Sequence, residues 1–195
     1  MRAPMLLAVA VLTAVPAVSA LADTGYSATV RQSYAPVAAI KRVAILPSMC
    51  PDTVECAEVE KEFAKSMRDA AGLEFVPSAT VRGVMQDAQI AAINYETRYI
   101  LAESLKVNAF VTLDVRQAAV EKGETTYVKM GVSKLPQEGA TIKHVQLALQ
   151  MVANDGKVLL DATGEAHLTN SMRGLTGIAE RVCEQMIEAS VSKRD

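Results

Sequence analysis

From Ala109 onward the chain alternates apolar and polar residues with period two. In Ala109–Arg116, Ala109, Val111, Leu113 and Val115 face one way, and Phe110, Thr112, Asp114 and Arg116 the other. In Lys143–Ala153, Val145, Leu147, Leu149 and Met151 oppose His144, Gln146 and Gln150. In Lys157–Leu168, Val158, Leu160, Ala162, Gly164 and Ala166 form the apolar side, and Asp161, Thr163, Glu165 and His167 the polar one. Strands with one apolar face belong to an antiparallel sheet covered on one side. Asn154-Asp155-Gly156 between the last two strands is a hairpin signal. Thr125–Ser133 alternates more weakly and predicts a further strand that returns through the Pro136–Gly139 turn.

The first half carries a different pattern. RVAILP, residues 42–47, is a short apolar run ended by Pro, the signature of a buried strand. Val59, Phe63 and Met67 at steps of four predict a helix that Gly72 caps. Leu73–Val76 reads as a strand stopped by Pro77, and Ser78 as the cap of a helix from Ala79 to Asp87. Residues 95–106 predict a third helix with Tyr99, Ala102 and Leu105 toward the core. A last helix over 172–192 stacks Leu175, Ile178, Val182, Met186 and Ala189 on one stripe, capped by Ser171 or Asn170. The order is β-α-β-α-α-β-(β)-β-β-α. The predicted fold is a two-layer α/β sandwich, a mixed sheet with helices on one face.

Residues 1–22 read as a secretory signal. Arg2 precedes the apolar run Met5–Val15, Pro16 breaks it, and cleavage is expected after Ala22 or Ala20. The run is shorter than the ~20 apolar residues that span a bilayer. No Cys follows the cut, so the expected product is a periplasmic protein without a lipid anchor or transmembrane segment. Residues 23–40 read as an N-terminal arm, and 41–192 as one domain.

Export changes the reading of the cysteines. Cys50 and Cys56 enclose PDTVE, and an oxidising compartment favours a structural disulfide over two free thiols there. Closing so short a ring is worth about 2 kcal/mol. Cys183, in a helical pattern, reads as a small buried hydrophobe.

The formal net charge of −2 in 195 residues argues against a nucleic-acid partner, which calls for a basic surplus. No Walker, Rossmann, nucleophile-elbow or zincin motif occurs, no catalytic set stands out, and no cofactor is implied. Glu55, Glu58, Glu60 and Glu62 read as a solvated helix side. The weak metal candidates are His144 and His167. A two-residue Asp155-Gly156 loop pairs them, and a loop two residues longer pairs His144 with Glu165 instead. The polar strand faces, with Asp114, Arg116, Gln146 and Glu165, form a hydrophilic sheet surface that faces either solvent or a partner. Phe110 and Leu159 interrupt it.

RVAILP, then ETRYILAESLKVNAFVTLDV, then HVQLALQMVANDGKVLLDATGEA with a C-terminal amphipathic helix, resembles a group of periplasmic assembly domains over residues 41–192. The group includes the N-terminal domain of TolB, the curli secretion protein CsgG and the penicillin-binding-protein activator LpoB. The resemblance implies an envelope accessory protein without catalytic residues that binds partner proteins or forms rings. Members are often lipoproteins, whereas this chain lacks the lipidated Cys. The insertion Val120–Ala140 carries Lys122, Glu124, Lys129 and Lys134, which does not supply a pair of membrane-spanning strands like the curli exporter's. The reading is a non-enzymatic accessory protein that contacts envelope proteins and forms a homo-oligomer. The alternative is a binding module for a small ligand or metal.

Overall fold

A computed structural model describes residues 25–35, 40–130 and 133–191. The predicted signal segment and its cleavage sites lie outside the described residues. Among the described residues, eight strands and four helices follow in the order β1 (Tyr26–Gln32), β2 (Arg42–Ile45), α1 (Cys56–Ala71), β3 (Glu74–Val76), α2 (Ser78–Asp87), α3 (Tyr95–Leu105), β4 (Ala109–Lys122), β5 (Thr126–Met130), β6 (Ser133–Gln137), β7 (Thr141–Ala153), β8 (Val158–Thr169) and α4 (Leu175–Ser190). Six strands form one mixed sheet in the order β1-β8-β7-β4-β2-β3, with β2 parallel to both β3 and β4. The other neighbours in it are antiparallel. β5 and β6 form a separate hairpin between β4 and β7. Met130 pairs with Ser133 and Tyr127 with Pro136, so Pro136 lies in a strand and the insertion holds two strands where one is predicted.

The α/β architecture, a mixed sheet with α1 and α4 packed on one face, is the one the periodicity predicts. α1 and α4 lie side by side over the face that carries Val43, Val111, Leu113, Leu147, Leu149 and Leu160, with Phe63, Met67, Ile178 and Met186 fully buried between the layers. Gly164 lets α4 approach: a Cβ there would lie 2.6 Å from both Met186 Sδ and Val182 Cγ1.

α2 and α3 add a short third layer on the opposite face at the parallel end. There they cover Ala44, Leu46, Val76 and Phe110 with Val81, Leu101 and Leu105. Connection handedness accounts for this. α1 carries the chain from β2 to its neighbour β3, and α2–α3 carry it back past β2 to β4. Two right-handed crossovers running in opposite directions must use opposite faces. Val43, Ala44, Ile45 and Leu46 form an unbroken apolar run because β2 is buried on both sides from Val43 onward. Phe110, which interrupts the polar face in the sequence, is the floor of this second cluster.

Other particulars differ from the pattern. The segment read as an arm supplies β1, an edge strand antiparallel to β8, with Tyr26, Ala28 and Val30 buried. Tyr99 is 59% exposed, and Leu101 takes the core position expected of it. α4 starts at Leu175 with Gly174 as N-cap, because Asn170 and Ser171 belong to the turn after β8. Ser78 does not cap α2, since Pro77 holds the N-cap position and the Ser78 hydroxyl turns to Glu60. Gly72 caps α1 in the left-handed conformation, as predicted.

The β7–β8 turn pairs Ala153 with Lys157 around a three-residue loop in which Gly156 has φ 89°. A bulge between Met151 and Val152 on one side and Leu160 and Val158 on the other then shifts the register back. The extra residue turns Leu159 into the core and leaves Val158 37% exposed, the reverse of the strict alternation. The two irregularities offset each other, and His144 lies opposite His167.

Candidate functional site

At the antiparallel end of the sheet no helix among the described residues covers one face, and its polar residues line up in cross-strand rows. One row runs Ser27, Glu165, Gln146 and Gln117, and the next Thr29, Thr163, Ala148 and Asp114. Arg116 is the extra residue of a bulge in β4 between Val115 and Gln117, and Arg31 that of a bulge in β1 between Val30 and Gln32. These bulges set two guanidinium groups beside the rows. Arg31, Arg116, Gln146, Thr163 and Glu165 line an open cleft of about 290 Å³. Ser27 Oγ donates to Glu165 Oε1 at 3.3 Å, and Gln146 Nε2 donates to Glu165 Oε2 at 3.4 Å. Of the four residues expected on an interaction face, Arg116, Gln146 and Glu165 thus share this cleft. Asp114 does other work: its carboxylate accepts the Met49 N–H at 3.3 Å and ties down the loop after β2.

His144 and His167 stand on the same face, two residue pairs beyond Glu165. Their rings stack with centroids 3.9 Å apart and planes 19° from parallel. His167 is exposed and His144 half-buried. His144 Nε2 is shielded from solvent and has no hydrogen-bond partner.

A second concavity opens beside α1 and α2 at the ends of β2 and β3. It has a volume of about 630 Å³, with Ala57, Ala64, Phe75 and Pro77 in its walls and Lys61, Lys65, Arg68 and Arg82 around it. Lys61 and Lys65 are held by Glu58 and Glu62 at 3.2 and 3.1 Å. The hydrogen bond that Lys65 donates to Glu62 raises the pKa of the Lys65 ammonium above its ordinary value. Glu60, read as part of a solvated acidic side, is instead 6% exposed in this wall. Ser48 Oγ and Ser78 Oγ donate to its two oxygens at 2.9 and 2.6 Å. A carboxylate with both oxygens so occupied is kept as a clamp between the β2 loop and α2. Its position one residue from Val59 on the apolar stripe is the only sign of this in the sequence.

Cys50 and Cys56 form the disulfide, with Cα atoms 5.9 Å apart, and it closes the loop that leads into α1. Cys183 is fully buried and free, and burial pushes its thiol far up from the ordinary thiol range. Among the described residues, no helix is long and apolar enough to cross a membrane.

No family model and no curated protein matches this sequence. Solved structures do. The chain is similar to the PelC dodecamer from Paraburkholderia phytofirmans, with a TM-score of 0.50 and 17% identity over 86% of this chain and 99% of that one. A point variant of the same dodecamer gives a TM-score of 0.51 at 14% identity, over 85% and 98%. The lipoprotein GNA1162 from Neisseria meningitidis matches at a TM-score of 0.46 and 14% identity, over 76% and 96%. What the chain shares with the PelC structures is the fold, over nearly the whole of theirs.

Proposed function

We propose that this protein is a non-enzymatic accessory protein of the bacterial periplasm, and that it acts as a homo-oligomeric scaffold contacting other envelope proteins. The observation that carries the reading is the outer face of α3. Tyr95, Tyr99 and Ile100 are 64, 59 and 49% exposed on a helix whose other side already fills the core with Leu101, Ala102 and Leu105. Tyr95 and Tyr99 are one turn apart and share a stripe, and Ile100 lies beside it. Large apolar side chains clustered on a helix surface mark a protein-binding patch. The dodecameric state of PelC, a protein with this fold, supports a second copy of the chain as the occupant. The predicted signal segment and the disulfide support an exported, oxidising setting. The likeness to TolB, CsgG and LpoB domains, read from the sequence motifs, supports an assembly role.

Light scattering on the purified protein tests this reading. The expected mass is a multiple of the monomer, reduced to the monomer by Tyr99→Glu. A wild-type chain that stays monomeric as its concentration is raised overturns the scaffold. Cross-linking in the periplasm of intact cells that traps no other envelope protein overturns the contacts.

A further inference from the structure

We propose that His144, His167 and Glu165 bind a single divalent transition-metal ion of the zinc class on the open face of the sheet. The inference stands independently of the oligomeric reading. Glu165 and His167 are two residues apart on β8, so the pleat points both to one face. His144 lies directly opposite His167 on β7. The register therefore forces two imidazoles and a carboxylate together, and each offers a ligand atom within 4.8 Å of the other two. A tetrahedral zinc ion with bonds of ~2.0–2.1 Å needs ligand atoms roughly 3.3 Å apart. The exposed His167 ring closes that gap by rotating about its side-chain torsions.

Three further observations favour a cation there. First, His144 Nε2 is shielded and unpartnered, a ring nitrogen left without a use by the protein itself. Second, the two imidazoles are in direct contact, with ring centroids 3.9 Å apart, so no other side chain separates them. Third, Glu165 is paired with no cation among the described residues, although Arg116 and Arg31 line the same cleft. Among the described residues it accepts hydrogen bonds from the hydroxyl of Ser27 and the amide of Gln146. Donors of this kind orient a ligating carboxylate from outside the coordination sphere. Two imidazoles and a carboxylate suit zinc and the neighbouring divalent ions far better than calcium or magnesium, which prefer oxygen cages. Three protein ligands leave a fourth position for water or for a donor atom from a partner.

The chain contains two histidines and no others, which makes the test direct. Purified protein stripped with EDTA is titrated with zinc chloride against a chromophoric chelator, and the imidazole NMR signals are followed. The expected result is saturation at one equivalent, with both imidazole sets shifting together. His167→Ala and Glu165→Gln are each expected to weaken binding at least tenfold while the metal-free melting temperature holds. Two results overturn the site: no saturable uptake, or uptake that leaves both imidazole signals in place. The NMR arm reads the wild-type chain, so it decides the matter even if a variant fails to fold.

Discussion

The two ends of the sheet are built to opposite rules. At the parallel end, β3, β2 and β4 lie between α1 on one face and α2–α3 on the other, and each face packs into an apolar cluster. At the antiparallel end, β1, β8, β7 and β4 are covered only by α4 and its neighbour α1, so every second residue is free to be polar. The difference follows from connection type. Parallel neighbours need crossovers, and crossovers in opposite directions bring helices to both faces. Hairpins bring none. Chemistry accumulates on the face the helices leave open, which is where the histidines, Glu165 and both bulge arginines gather.

This contrast is open to attack by substitution, and the largest effect is expected at the parallel end. Phe110→Ala empties the centre of the second cluster and should cost about 3–5 kcal/mol in urea unfolding. Gln150→Ala, on the open face of the neighbouring strand, should stay within about 0.5 kcal/mol. Equal losses would mean that the open face is covered. At the antiparallel end, Gly164→Val sets methyl groups against Met186 and Val182 and should cost about 1–3 kcal/mol by thermal denaturation. Cys50→Ser with Cys56→Ser should lose about 2 kcal/mol, the same loss that reduction of the wild type gives. The smallest expected loss is about 1 kcal/mol for Asn94→Ala, which removes the capping box Asn94 makes with Thr97 at the start of α3.

Cys183 adds a measurement that separates core from surface at fixed composition. Its neutral thiol in the core should resist maleimide in the native protein and react once in urea. Its folded value is raised, so the group adds stability that is complete below the ordinary thiol range near pH ~8.5 and is lost as pH rises beyond it. A native chain labelled rapidly at neutral pH would show that α4 does not stay docked.

The antiparallel end was the more legible of the two. Period-two alternation over β4, β7 and β8 placed Leu113, Leu147 and Leu149 in the core and the histidines on the polar face. It also reduced the partner of His144 to two choices. Alternation could not see the bulge that exchanges Val158 for Leu159, because a bulge is a choice of backbone hydrogen bonds rather than of residue type. β1 carries the same period in Tyr26, Ala28 and Val30. It was hidden by its small and polar residues and by the flanking Gly25 and Pro36. At the parallel end a continuous apolar run shows burial but not which helices cover which side, so the position of α2–α3 follows only from the strand order. Glu60 was the hardest residue to read, since a buried carboxylate depends on two serines distant in sequence, Ser48 and Ser78.

The pairing of β1 with β8 also bears on the order in which the protein can be made. Ser27 and Glu165, hydrogen-bonded across that pair, are 138 positions apart, and Tyr34 is bridged to Val191 just past the end of α4. The first of the described strands therefore has its partner only once β8 has been made, and until β1 docks the edge of β8 is bare to any extended chain.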